Sequence, residues 1–309
     1  MGFFNRLEKR LRWKRSAIKH IAGRLDSLDT LFDYLLHAQV KQWQAQSPNP
    51  LNAFGAKTFS QSDEDGITLE ILRRLGLQNG GVYGEFGVGD GTENNSLILA
   101  ALGWKGFWVG GQDLAVQVPS AGHSWFRYLK AWITLDNIVS LARAGLDAVG
   151  SESPDVLSLD LDGNDIYFVE ALLAAKLRPK LFIVEYNAKF LPPVEFQIAY
   201  DAGHQWQSDD YFGASLASFA RLFERFGYRL VCCNSHTGCN AFFVDTTYAE
   251  RFKDVPTDLR ALYVEARYWL PKKAGHPASI KTIERILSTD PSARAAADVA
   301  GRGPSAQPM

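Results

Sequence analysis

Residues 82–102 read VYGEFGVGDGTENNSLILAAL, and the order of chemistry along this stretch decides the fold. A short apolar run, VYGEF, meets a loop in which Gly87, Gly89 and Gly91 alternate with Val88 and Asp90. The helical pattern NSLILAAL follows. Strand, glycine loop and helix in that order open a parallel α/β unit. Glycine there lets the backbone take positive φ and come close to a ligand. A tight turn that packs the helix on the strand needs the same residues, so the loop alone admits both readings. The spacing E-x-G-x-G-x-G over 85–91 departs from the dinucleotide fingerprint G-x-G-x-x-G.

The alternation continues outward. β-rich runs at 82–87, 106–110, 128–134, 155–161, 180–186, 228–233 and 240–245 are separated by helical patterns, among them 137–146, 167–175 and 215–226. Nearly continuous apolar strands alternating with helices predict a doubly wound, Rossmann-like, seven-stranded sheet that is mostly parallel. The connection between the last two runs is too short for a parallel crossover, so these form an antiparallel hairpin at one end. Ligands of such sheets bind outside the carboxyl ends of the strands, near the topological switch.

Four flanking regions bound this core. Residues 1–45 are a basic helix in which Phe4, Leu7, Leu11, Lys14, Ile18, Ile21, Leu25, Leu28, Phe32 and Leu35 follow at alternating spacings of three and four. That is the a/d seam of a coiled coil with one charged interruption, and it predicts a homo-oligomer joined through residues 4–39. A helix lying on its own domain, or one lying in a membrane surface with Trp13 among its basic residues, uses the same pattern. Residues 47–66 read as a polar linker, and the α/β core is placed at 46–250. A helical extension over 251–290 and a disordered tail over 291–309 complete the chain.

Composition sets limits on function. The chain has 309 residues, 46% hydrophobic and 22% charged, with a net charge of −1. Residues 1–24 hold eight Lys and Arg against Glu8 alone, a net +7 that leaves −8 for the rest. Such a basic head attracts an anionic membrane face; nucleic acid is not the expected partner. No apolar run reaches the roughly 18 residues of a membrane span. Cys232, Cys233 and Cys239 cannot build a disulfide framework, which points to a reducing cytoplasm.

The motifs PLNAFGAKTFSQSDEDGI, GEFGVGDGTENNS, GWKGFWV, SLDLDGND, VEYNAKFLPP, YFGASL and GCNAFFV occur together and in order over roughly residues 50–245. Together they resemble a bacterial family of S-adenosylmethionine (SAM)-dependent, methyltransferase-like proteins. These are related to FkbM-type enzymes and associated with surface polysaccharide. The resemblance implies a class I methyltransferase sheet and SAM as cofactor. It places SAM against Glu85, Gly87, Gly89, Asp90, Gly91 and Asn94, with Asp160 nearby. In such enzymes an acid at the end of the second strand holds the ribose hydroxyls. Here GFWVGGQDL puts Gly110 at that position, leaving Gln112 or Asp113 to take the role.

Two further strand ends carry carboxylates: Asp160-Leu-Asp162-Gly-Asn-Asp165, then Glu185-Tyr-Asn187. Like charges gathered in one crevice need a cation or a proton, and oxygen-only ligands suit Mg²⁺, Mn²⁺ or Ca²⁺. Asp-Gly-Asn-Asp is also an ordinary turn sequence. By analogy with metal-dependent O-methyltransferases, Asp162, Glu185 and Asn187 hold Mg²⁺ or Mn²⁺. A histidine lies three residues after the first metal acid in the sugar-modifying relatives. Asp165 occupies that place here as candidate base, with His204 and Lys189 as substitutes.

The Cys232, Cys233, His236 and Cys239 group matches no common zinc spacing and reads as a half-buried strand and turn. Residues 200–215 put His204, Trp206 and Tyr211 in a loop over the crevice. Ser60, Gln61, Asp63 and Asp65 cap a helix in part. The combined expectation is a SAM-dependent O-methyltransferase acting on a sugar or glycan precursor, metal-assisted, cytoplasmic and peripheral to the inner membrane. Two alternatives remain: a non-catalytic methyltransferase-like scaffold or glycan-binding subunit, and a metal- and nucleotide-sugar-dependent transferase using the D-x-D spacing of Asp160 and Asp162.

Overall fold

The structure is a computed structural model that describes residues 2–119, 123–268 and 279–290, with side chains from residue 12 onward. The expected tail at 291–309 and the seam side chains of Phe4, Leu7 and Leu11 lie outside the described part. The chain opens with one helix, α1 (Gly2–Gln46). Its residues are mostly good helix formers, and no proline interrupts until Pro48.

A sheet follows, with α2 (Glu64–Leu75) before β1 (Val82–Phe86), then α3 (Leu97–Ala101), β2 (Lys105–Gly110), β3 (Phe126–Lys130) and α4 (Ile138–Ala148). Next come β4 (Val156–Leu159), α5 (Asp165–Ala174), β5 (Leu181–Glu185), α6 (Leu216–Arg225), β6 (Tyr228–Cys233) and β7 (Asn240–Asp245). The short α7 (Leu259–Leu262) and α8 (Ile280–Ser288) close the described chain.

The sheet order is β3-β2-β1-β4-β5-β7-β6. All neighbours are parallel except β7, which runs antiparallel to both β5 and β6. The expected seven strands and terminal hairpin are therefore present, with β7 inserted between β5 and the edge strand β6. The order reverses between β1 and β4, which opens the switch-point crevice at their carboxyl ends. Alternation along β2 orders the two faces: the Phe107 ring lies under Gly145 of α4, and the Trp108 indole donates to Ser96 beside α3.

Two expectations are corrected. The third strand ends at Lys130 instead of running to residue 134; Ala131, Trp132 and Ile133 leave the sheet and enter the crevice. Residues 47–66 are no loose linker. Asn49 and Asn52 donate to the carbonyls of Val231 and Cys233 at 2.8 Å each. Buried Asp63 accepts from Gln44 of α1 and from the amides of Ser235 and His236. Buried polar groups require such partners, so this segment is sewn to the β6–β7 turn and fixes the end of α1 on the core. That explains why Leu36, Val40 and Gln44 are buried at a spacing of four while most of the described residues upstream are exposed.

The C-terminal pieces belong to the same core: Leu262, Ile283 and Leu287 are buried in it. Cys232, Cys233 and Cys239 are free and buried, and burial pushes all three thiols up. No helix among the described residues is long and apolar enough to cross a membrane.

Candidate functional site

The carboxyl ends of β1, β2, β4 and β5 surround a cleft of about 590 Å³, within the range of small-molecule sites. Its wall under the glycine loop depends on Gly87. This residue has φ +89, and a Cβ there would lie 1.7 Å from the Asp160 carbonyl oxygen. Only glycine lets β1 and β4 end this close together. Gly87 and Gly89 line the cleft, with Gly110, Gly111 and Gln112 beside them. Trp132, Ile133 and Phe168 supply apolar surface, and Ala202, His204, Gln205 and Trp206 complete the lining, tied down by the Trp132 indole donating to the Ala202 carbonyl at 2.8 Å.

At the ends of β4 and β5, Asp160, Asp162 and Glu185 bring carboxylate oxygens within 4.8 Å of one another. Burial, then repulsion from neighbouring acids, holds Asp160 and Glu185 well above the usual carboxylate range. The two share a hydrogen bond, and like charges this close favour a proton or a cation between them over two bare carboxylates. Asp162 is raised by burial and pulled back by His204. It sits at φ +52, a left-handed conformation that aspartate tolerates better than most residues.

The loop around Asp162 is held by Asp165, which is buried and absent from the cleft lining. Its two oxygens accept the Leu161 amide at 2.9 Å and the Gly163 amide at 3.0 Å. Both are thus occupied, and Asp165 positions Asp162 instead of facing a substrate. Burial pushes its carboxyl up to about 6 against the opposing pull of those amides.

The other expected residues divide clearly. Glu85 is buried away from the cleft, where it accepts the Asn95 amide at 2.9 Å, the Ser96 amide at 3.0 Å and the Ser96 hydroxyl. It caps α3, as the partial positive charge of a helix start favours. Asp90 is exposed and binds its own loop through Thr92. Gly91 packs beside Leu114 and Trp108. Asn94 is buried outside the lining, and its side-chain amide makes no hydrogen bond among the described residues. Asp113 turns outward to Lys130 at 2.5 Å, which leaves Gln112 as the polar side chain at the end of β2.

Asn187 does not join the carboxylates. Its amide donates to the Asp210 and Phe212 carbonyls at 3.0 and 3.1 Å and accepts from the Lys189 amide, and Asp160 stands in the triad instead. Lys189 pairs with Asp210 on the surface. His204 does reach the cleft: its ring packs on Gly163, and its buried Nε2 makes no hydrogen bond among the described residues. Sequence reasoning missed Gln61, Trp132, Ile133 and Phe168 as lining residues. The early end of β3 is the signal for Trp132 and Ile133.

Compared with known proteins, the chain matches no family model and no curated sequence.

Proposed function

We propose that the protein is a class I SAM-dependent O-methyltransferase acting on a hydroxyl of a sugar or glycan precursor, assisted by Mg²⁺ or Mn²⁺. One observation carries the reading: the switch-point cleft combines a glycine-lined wall with three converging carboxylates. The sheet order, with its antiparallel hairpin last, supports the methyltransferase class.

The residues fit both groups. Three carboxylates with oxygens within 4.8 Å of one another, two of them raised by burial and mutual repulsion, suit an oxygen-ligated cation. Asp160, Asp162 and Glu185 would hold the ion. Gly87 and Gly89 would pass beneath SAM, with Gln112 in place of the missing second-strand acid. SAM would supply an electrophilic methyl when bound, and a cation held there would lower the pKa of a coordinated hydroxyl.

The chain's own contribution is positioning and proton transfer. His204 Nε2 takes the hydroxyl proton, and Asp165 keeps Asp162 in place. The reading places the protein in the cytoplasm near the inner membrane face, where lipid-linked glycans are built.

A nucleotide-sugar transferase is the second reading, favoured by the convergence of both D-x-D carboxylates, Asp160 and Asp162. Calorimetry with SAM and with nucleotide-sugars, each with and without Mg²⁺, separates the two. SAM binding supports the methyltransferase; nucleotide-sugar binding alone replaces it; binding of neither leaves the scaffold reading.

A further inference from the structure

We propose that α1 joins two copies of this chain as a parallel, in-register, two-stranded coiled coil over residues 18–35. This interface stands apart from the cleft chemistry and survives if that chemistry is wrong.

Among the described residues the helix is anchored at its end, through Leu36, Val40 and Gln44. Upstream, the seam side chains face solvent: Ile18 is 65% exposed, Ile21 57%, Leu25 60%, Leu28 61%, Phe32 46% and Leu35 56%. They fall at spacings of three and four, with Ile18, Leu25 and Phe32 at a and Ile21, Leu28 and Leu35 at d. A stripe this regular, covering no part of its own domain, is the surface a second identical helix buries. A lone helix of this kind gains little stability in water, where helices rely on packing of their apolar face.

Charge chooses the partner and its direction. In this frame Arg24 is a g position and Asp29 the following e position. A parallel, in-register pair sets Arg24 of each chain against Asp29 of the other, twice per dimer. Within one helix the two are five residues apart, a spacing at which side chains are not neighbours. An antiparallel pair with the same overlap sets Arg24 against Leu31 and Asp29 against Ala22, and the complementarity is lost. The same register sets Lys14 against Lys14, so the seam closes from residue 18 onward and the basic head lies beyond it.

Light scattering on the full chain tests the interface. The expected mass at tens of micromolar is twice the 34.3 kDa of one chain, and Leu25→Asp with Leu28→Asp returns one chain with an unchanged melting temperature. Direction is read by Leu28→Cys, since the native cysteines are buried: mild oxidation links the chains through residue 28. Arg24→Asp weakens the dimer at least tenfold, and adding Asp29→Arg restores it. A monomeric wild type overturns the proposal, even one whose arm binds anionic vesicles. A dimer that survives the seam change, resists cross-linking or is not rescued by the charge swap overturns it as well.

Discussion

Replacing Asp165 by alanine tests how the acidic wall is built, because the loss must depend on pH in a calculable way. Two amides, those of Leu161 and Gly163, lose their acceptor. At about 1–3 kcal/mol for each stranded donor, the penalty is roughly 2–6 kcal/mol. The wild-type carboxyl also carries a burden of its own. Burial raises it from 3.8 to about 6, so the folded state holds its proton more tightly than the unfolded chain. A raised folded value gives stability that is present below the unfolded pKa and lost as pH climbs through the folded one. For a shift of about two units the total is about 3 kcal/mol, at 1.36 kcal/mol per unit.

Alanine has no such proton. The variant's penalty therefore shrinks by about 2 kcal/mol between pH 4.5 and 7.5, the part of the total that falls in this window. Urea denaturation of both proteins at the two pH values, with chelator present, measures it. A penalty that is constant, or that grows toward pH 7.5, refutes the reading of Asp165 as a buried clamp with a raised pKa. The released loop also lets Asp162 leave its left-handed conformation, so Mn²⁺ affinity falls in the same variant.

Three other substitutions extend the account. Glu85→Ala strands three donors at the start of α3 and costs about 3 kcal/mol or more, read as a lower urea midpoint; an unchanged midpoint means Glu85 is not the cap. Gly87→Ala forces a Cβ into the Asp160 carbonyl, and circular dichroism should show a chain that folds poorly or not at all, whereas a wild-type spectrum and melt contradict the close approach. His204→Ala lowers methyl transfer by roughly 10²–10⁴-fold, the usual worth of a positioned base, with SAM binding unchanged in calorimetry; loss of binding instead makes it a ligand-holding residue.

The sheet was legible because strand and helix periods differ and each run carries one of them clearly. The hairpin followed from connection length, and the crevice from the switch point. What resisted reading were residues whose role depends on which way a short polar side chain turns. Asp165 and Asp162 sit three residues apart in one turn sequence, yet one faces backbone amides and the other the cleft. Glu85 looks like a ligand in the string but points at a helix start formed ten residues later. Asp160 stands where Asn187 was expected in the triad for the same reason: strand ends fix position, and local hydrogen bonds then decide orientation. The 47–66 segment looked like a linker because its polar residues suit a surface, and its buried partners at the β6–β7 turn are remote in sequence.

The most direct measurement of the central claim is a crystal structure grown with Mn²⁺ and S-adenosylhomocysteine, with anomalous scattering collected to locate the metal. The expected result is one anomalous peak among Asp160, Asp162 and Glu185, and adenosyl density along Gly87–Gly89 and Gln112. A cleft free of adenosyl density, or a metal held elsewhere, would contradict it.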